Sequence, residues 1–156
     1  MLRSAFHLDC CALSTNVEPA KINCPTCGEK GKSVPLITLK SLLIASSLET
    51  IKPDNTYAFC PNSYCNTVYF SCTHSQKFEE DTLKVPVFQK NLSMDVPVCY
   101  CFDWTRDRLV QAVSDNQDPI NHIKGHVQSN RCGCEVNNPQ GACCLGNVNV
   151  FVRSLN

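Results

Sequence analysis

The chain has 156 residues, and its length, composition and charge exclude several classes of protein. It carries 14 basic and 14 acidic residues and therefore no net charge. No run of Lys or Arg provides the electrostatic surface that attracts nucleic acids or anionic membranes. No stretch of the sequence approaches the roughly 18 consecutive apolar residues of a membrane-spanning helix. We therefore expect neither a nucleic-acid partner nor membrane insertion.

The thirteen cysteines are the unusual feature of the composition. Their odd number leaves at least one thiol unpaired in any disulfide scheme. The first sixteen residues carry Asp9 inside their most apolar stretch, which is not typical of a signal peptide. In a reducing cytosol, a high cysteine content indicates metal ligation. The sequence therefore predicts a cytoplasmic, metal-binding protein.

The first part of the chain is typical of a small β-rich module. Residues 1–22 show no periodicity and are expected to form a flexible leader. Residues 57–60 and 67–71 are rich in aromatic and β-branched residues and flank a tight loop, which predicts an antiparallel hairpin. Thr38 is expected to cap a short helix. Residues 83–88 are expected to form an edge strand, because they contain a proline.

The composition changes near residue 96, after which helical patterns dominate. Thr105 and Asp118, the latter followed by a proline at the first helical position, predict the starts of two helices. Residues 148–152 are expected to form a short apolar tail. The sequence thus predicts an α+β fold with a leader at 1–22, a β-rich module at 23–95 and a helical module at 96–156.

Two cysteine pairs in the β-rich module predict a structural zinc site. Cys24 and Cys27 are separated by two residues, which lets both sulfurs face one ion, and Gly28 permits the turn that points amide groups at the thiolates. Cys60 and Cys65 lie at the mouth of the predicted hairpin. Together the four thiolates supply a tetrahedral site for Zn²⁺, which would stabilise a module too small to fold on its own core.

A second set of cysteines lies in the helical module and predicts an iron–sulfur cluster. Thiolates brought together from two tight loops are what such a cluster needs. The candidate ligands are Cys99 and Cys101, then Cys132 and Cys134, then Cys143 and Cys144. The residues themselves do not decide between the members of the second and third pairs.

Four segments of the sequence resemble the N-terminal domain of CopZ-type copper chaperones. They are Cys24-Pro-Thr-Cys-Gly, residues 57–70, Val98-Cys-Tyr-Cys-Phe and Asn138-Pro-Gln-Gly-Ala-Cys-Cys. The second half of that domain is similar to the bacterioferritin-associated ferredoxins, which bind a [2Fe-2S] cluster. The resemblance implies zinc ligation by Cys24, Cys27, Cys60 and Cys65, and [2Fe-2S] ligation by Cys99, Cys101, Cys134 and Cys144.

The resemblance and the cluster chemistry together predict one-electron transfer in copper or soft-metal homeostasis, for example reduction of Cu(II) to Cu(I). The expected partner is a redox protein, or a metal chaperone or transporter. CopZ-type chaperones also carry a heavy-metal domain with an M-x-C-x-x-C copper motif, which we expect this chain to lack. The alternative hypothesis is a metal-stabilised redox-sensing or protein-interaction module without catalytic turnover, and whether the protein is an enzyme stays open.

Two further groups of residues are candidate ligands of lesser weight. His122 and His126 are four residues apart, but Gly125 weakens a helix there, and we expect both side chains to be solvated rather than to bind metal. Cys10-Cys11 offers two thiols to a soft ion such as Cu(I), or is simply part of the leader.

Overall fold

A four-stranded antiparallel sheet is followed by a helical part in the computed structural model, which describes residues 22–156. The sheet has the strand order β1-β2-β3-β4, and β5 and β6 form a separate two-stranded ribbon. The strands are β1 Lys32–Val34, β2 Tyr57–Phe59, β3 Thr67–Ser71, β4 Lys77–Glu79, β5 Pro97–Cys99 and β6 Trp104–Thr105. The helices are α1 Leu36–Leu42, α2 Ala45–Leu48, α3 Arg106–Ser114, α4 Pro119–Gln128, α5 Cys134–Asn137 and α6 Leu145–Ser154, with a 3₁₀ turn at Glu80–Thr82. These elements confirm the predicted α+β class.

The predicted hairpin is present as β2 and β3, and both of its faces are buried. The strands pair antiparallel, with Ala58 opposite Phe70. Side chains of successive residues point to opposite faces of a strand. Tyr69 therefore packs in a core cluster with α1 and β4, whereas Ala58 and Phe70 pack in a second cluster with Cys24, Cys60 and Cys65. The second face of the sheet thus forms the floor of the predicted zinc site.

Two local predictions in the first part of the chain are wrong. Residues 83–88 form no strand; Leu83 makes an isolated bridge to Leu43, and the sheet is completed instead by β4. Helix α1 begins at Leu36 with Pro35 at the N-cap, so Thr38 lies inside its first turn. The Thr38 hydroxyl is buried and donates a hydrogen bond to the carbonyl oxygen of Glu135, 2.6 Å away. The Thr38 hydroxyl therefore makes a tertiary hydrogen bond and does not cap the helix.

The two helix starts predicted in the second part are confirmed. The Thr105 hydroxyl accepts a hydrogen bond from the Arg108 amide at the start of α3, and the Asp118 carboxylate accepts one from the Asn121 amide at the start of α4. The expected apolar tail is instead helix α6, which buries Val148 against α3, α4 and β5. Among residues 22–156, no helix is both long and apolar enough to cross a membrane.

Hydrogen bonds connect residues 22–95 with residues 96–156. The Tyr69 hydroxyl donates to the carbonyl oxygen of Pro139 at 2.6 Å, far from it in sequence. Gly141 has φ +69, and a Cβ there would lie 2.7 Å from a methyl group of Val34, so this position requires glycine. Helix α5 and its following loop thus lie directly against α1 and the sheet. The division of the chain at residues 22 and 95 stays a prediction.

Candidate metal centres

The first candidate centre joins two short loops at one end of the sheet. Cys24 and Cys27 lie in a turn between the bridge partners Asn23 and Lys30, and Cys60 and Cys65 lie between β2 and β3. In the first loop the Gly28 amide donates to the Cys24 carbonyl at 2.9 Å, and Gly28 has φ +79. The glycine permits the positive φ with which this turn closes.

The four sulfurs of this centre have the spacing that a tetrahedral ion requires. All of them lie within 4.8 Å of one another. The Sγ atoms of Cys24 and Cys65 are 3.8 Å apart, and those of Cys27 and Cys60 are 3.6 Å apart. A Zn–S bond of about 2.3 Å gives a tetrahedral edge of about 3.8 Å. The structure therefore brings these four thiols together in a way that fits Zn²⁺.

Backbone amides stabilise negative charge on these sulfurs. Amides of Glu29, Asn62 and Thr67 donate to the sulfurs of Cys27, Cys60 and Cys65, respectively. Burial raises the pKa of Cys60 and of Cys65 in spite of these bonds. At Cys27, burial also acts to raise the pKa, but hydrogen bonds from the Glu29 amide and neighbouring thiols lower it to about 7. A cation would remove the cost of burying these thiolates.

Lys90 lies in the linker between the 3₁₀ turn and β5 (residues 83–96) and contacts the loop between β2 and β3 that carries Cys60 and Cys65, the second zinc loop. Its ammonium group donates to the carbonyl oxygens of Asn62 and Cys65, both at 2.8 Å. Its positive charge also acts to lower the pKa of Cys60, against the larger effect of burial. Four thiolates around one Zn²⁺ carry a net charge of −2, which a nearby ammonium group offsets in part. Nothing in the sequence around Lys90 indicates this contact.

The second candidate centre lies between the β5–β6 ribbon and the starts of α5 and α6. Cys99 ends β5, Cys101 follows in the turn, Cys134 begins α5, and Cys144 occupies the N-cap position of α6. Cys99 and Cys144 are buried, whereas Cys143 is exposed. Cys144 is thus the buried member of its pair, and its role as a ligand stays a prediction.

The four thiols of the second centre form a chain of neighbours. The Sγ atoms of Cys101 and Cys134 are 3.7 Å apart, and the Cys144 thiol lies beside the sulfurs of both Cys134 and Cys99. Cys132 also lies beside Cys134. Within residues 22–156, the zinc quartet is the one group of Cys, His, Asp and Glu residues whose ligand atoms all lie within 4.8 Å of one another. The second set is therefore more extended than a site for a single ion.

Hydrogen bonds also reach the sulfurs of the second centre. Cys101 Sγ accepts from the Gly133 amide at 3.2 Å and from the Asn137 side chain at 3.6 Å. The sulfur of Cys99 accepts from backbone amides of residues 101 and 102, and that of Cys134 from the amide of residue 144. Asn137 was not predicted as a site residue, because its Asn-Asn-Pro-Gln-Gly surroundings indicate only a turn.

Contacts with neighbouring thiols lower the pKa of two sulfurs of the second centre. The hydrogen bond from Cys144 lowers the pKa of Cys99, and the same thiol, with Cys101, lowers the pKa of Cys134 to about 5. Burial raises the pKa of Cys101 to about 11, and the contacts with Cys134 and Cys99 raise the pKa of Cys144. The pKa is thus lowered at Cys99 and Cys134 and raised at Cys101 and Cys144.

Comparisons with known proteins agree with the zinc-binding part of this arrangement. Residues 21–84 match the zf_CopZ family model, described as a zinc binding domain. The copper chaperone CopZ of Archaeoglobus fulgidus is 30% identical over 124 residues, which make up 79% of this chain and 58% of that protein. The X-ray structure of the A. fulgidus CopZ N-terminal domain superposes with a TM-score of 0.70 at 26% identity, covering 83% of this chain and 96% of that one.

The sheet and its four-cysteine site define a zinc-binding domain of the CopZ type. The chain contains a CopZ-type N-terminal domain, as the resemblance predicted. It spans less than two thirds of the length of the curated relative that it matches. The predicted leader and Cys10-Cys11 lie outside the described residues.

Proposed function

We propose that this chain holds a structural Zn²⁺ on Cys24, Cys27, Cys60 and Cys65, and a [2Fe-2S] cluster on Cys99, Cys101, Cys134 and Cys144. On this proposal it is a cytoplasmic accessory protein that transfers single electrons in copper or other soft-metal homeostasis. The observation that carries the proposal is the second set of thiols, which is too extended for one ion and is surrounded by N–H donors. The zinc site is formed by a separate set of four thiols, which supports two centres of different kinds.

The residues of the second centre fit a dinuclear cluster chemically. A [2Fe-2S] cluster needs four thiolates, and this centre offers four neighbouring thiols from the β5–β6 ribbon and the starts of α5 and α6. N–H···S hydrogen bonds are among the factors that set the potential of such a cluster. The amide donors to Cys99, Cys101 and Cys134 supply these bonds. Cys144 also stands at the N-terminus of the ten-residue helix α6, whose dipole favours negative charge.

An unpartnered indole N–H gives a further sign that a group is bound nearby. Trp104 Nε1 is the buried side-chain polar atom that lacks a hydrogen-bond partner among the residues the structure describes. Trp104 packs in the same apolar cluster as Cys99 and Cys144, and it is the register partner of Cys99 in the ribbon. An unsatisfied buried donor costs about 1–3 kcal/mol. An acceptor supplied by a bound cluster would remove that cost.

The copper part of the proposal comes from the relative, which is named as a copper chaperone. When bound, a [2Fe-2S] cluster takes up and gives off one electron at a time. The sequence contains no dinucleotide or P-loop motif, so the electron must come from an external one-electron reductant or redox partner protein. Cu(II) accepts that electron as substrate and leaves as Cu(I), for a metal chaperone or transporter.

Metal analysis tests the two assigned centres. We expect aerobically purified protein to contain two irons, two sulfides and one zinc per chain, and to absorb in the visible range. Cys134→Ser and Cys144→Ser should each remove the visible absorption but leave the zinc. Cys132→Ser and Cys143→Ser are the matched controls and should largely keep both. Zinc at both centres with no visible absorption would contradict the cluster.

Stoichiometric oxidation tests the electron transfer. The reduced protein is mixed with Cu(II) and a Cu(I)-specific chelator, while the cluster absorbance is followed. We expect one Cu(I) to appear for each cluster that is reoxidised. Reoxidation without Cu(I), or no reoxidation, would contradict copper reduction and favour the alternative of a redox-sensing or interaction module.

A further inference from the structure

Helix α4 presents two histidines together on its surface beside the second metal centre. The helix runs unbroken from Pro119 to Gln128 through Gly125, so the expected weakening at this glycine does not separate them. The Nε2 atoms of His122 and His126 are 3.3 Å apart. His122 is exposed and His126 is partly exposed, so an ion from solvent can reach both rings.

The distance between the two nitrogens matches the edge of a metal coordination shell. Metal–imidazole bonds of about 2.0–2.1 Å give a tetrahedral N···N edge of about 3.3–3.4 Å and a square-planar cis edge of about 2.9 Å. The observed spacing therefore matches the first geometry and exceeds the second by a few tenths of an ångström, so the rings need only turn their Nε2 atoms from each other toward a shared ion. Histidines four residues apart on one helix face recur as metal ligands for this reason.

Aromatic neighbours fix the orientation of both rings. The Phe102 ring stacks on His126, with centroids 4.6 Å apart and an interplanar angle of 27°. Trp104 meets His122 edge-on, with centroids 5.5 Å apart. Exposed histidines without such contacts lose rotamer freedom when they bind an ion. Here the fold has already restricted the rings, so less entropy is lost on chelation.

We propose that His122 and His126 chelate one divalent transition-metal ion, with Cu(II) as the preferred ion. Imidazole nitrogen suits the later first-row ions, and the affinity of a given site peaks at Cu(II). Water completes the coordination shell on the solvent side. This ligand set contains no thiolate and is separate from both cysteine centres.

Arg131 sets the tautomer of His126 in the free site. Its guanidinium group, which can only donate, lies 3.1 Å from Nδ1 of His126. In the neutral ring the proton therefore resides on Nε2 and is donated to Nε2 of His122. When a cation binds at Nε2, that proton moves to Nδ1 and the exposed Arg131 side chain swings away. Arg131 is thus a competitor of the metal, both as a donor and as a positive charge.

A single residue, Phe102, connects the histidine site with the thiols of the second centre. The ring of Phe102 contacts His126, while its backbone amide donates to the sulfur of Cys99. In this respect the inference rests on the proposed function: a Cu(II) ion held here is adjacent to its electron donor. One electron from the reduced cluster, supplied by the external reductant, converts one Cu(II) to Cu(I), and no covalent bond forms or breaks.

Binding is tested on the metal-loaded, oxidised protein. Cu(II) is titrated against a competing chelator, and the bound ion is examined by electron paramagnetic resonance. We expect one tight Cu(II) per chain with hyperfine coupling to two imidazole nitrogens. His122→Gln and His126→Gln should each weaken binding about a hundredfold, because the chelate is lost. Lys124→Gln, an exposed change on the same helix, is the matched control and should have no effect.

Several outcomes would overturn the site. They are equal Cu(II) affinities in the histidine variants and the control, a spectrum dominated by sulfur ligation, or weaker rather than tighter binding in Arg131→Gln. The binding test is independent of electron transfer. Tight binding at the histidines without copper reduction would contradict the proposed function but not the site. Copper reduction that is unchanged in both histidine variants, with no histidine-bound Cu(II), would contradict the site but not the function.

Discussion

Removing one oxygen atom from Tyr69 tests whether the sheet holds the loop between α5 and α6 (residues 138–144, the cluster loop), which carries the proposed cluster ligand Cys144. The Tyr69 hydroxyl is buried and donates to the Pro139 carbonyl at 2.6 Å. Burial raises the pKa of Tyr69, so the hydroxyl remains a donor at any ordinary pH. Tyr69→Phe leaves the ring in place against Phe59 and removes the hydrogen bond alone.

The expected loss of stability follows from the two groups that the hydrogen bond joins. The net contribution of such a bond is about 1 kcal/mol, and an unsatisfied buried carbonyl costs about 1–3 kcal/mol. Because the Pro139 carbonyl lies at a buried residue that water reaches poorly, we expect a total loss of about 2 kcal/mol. With a urea m-value of about 2 kcal/mol/M, the unfolding midpoint falls by about 1 M.

Urea unfolding of the metal-loaded protein, compared with a matched variant, is the assay. Tyr64 is 97% exposed on the second zinc loop, so Tyr64→Phe makes the same chemical change where no buried partner is lost. We expect the control to shift the free energy of unfolding by less than about 0.5 kcal/mol. Equal midpoints for the two variants would refute the reasoning. Pro139 lies between two proposed cluster ligands, so Tyr69→Phe should also shorten the lifetime of the cluster more than that of the zinc.

Two further predictions concern the linker and the first metal centre. Arg106 is buried and donates to the carbonyls of Phe88, Asn91 and Ser93. We expect Arg106→Met to cost about 3 kcal/mol in urea unfolding, because it leaves these carbonyls without their donor. A loss below about 1 kcal/mol would show that the linker does not depend on Arg106. The pKa of Cys27 is about 7, so after removal of zinc iodoacetamide should alkylate Cys27 at pH 7 well before the buried Cys60. The rate at Cys27 should fall as the pH drops below 7. Mass spectrometry of the labelled peptides checks this order, and equal rates for the two thiols would contradict it.

Local sequence signals predicted the parts of the fold that depend on neighbours in sequence. The β2–β3 hairpin follows from two segments rich in aromatic and β-branched residues on either side of a short loop. The starts of α3 and α4 follow from cap side chains, whose hydrogen bonds reach only three residues along the chain. The zinc quartet was predictable for the same reason, since each cysteine pair spans a single turn.

Tertiary contacts decided the parts that sequence patterns missed. Residues 145–154 are rich in Val and Asn, which have modest helix propensity, yet they form α6 because Val148 is buried against three other elements. Residues 83–88 have strand composition, but the Tyr100 hydroxyl, rather than a neighbouring strand, bonds to the backbone of Pro86 and Phe88. The metal-site contacts of Lys90 and Asn137 join residues that are 25 to 36 positions apart, which no local pattern reports.

The docking of the cluster loop on α1 and β3 has a consequence for the order of assembly during synthesis. The proposed zinc ligands are complete once Cys65 has been made, whereas Cys144 follows 79 residues later. At about 5–20 residues per second, that interval lasts roughly 4–16 s. The surface that receives the loop, at Thr38 and Tyr69, belongs to the part that zinc stabilises. A nascent chain can thus fold around zinc first. The folded surface at Thr38 and Tyr69 is then already formed when the segment with the last proposed cluster ligands is made.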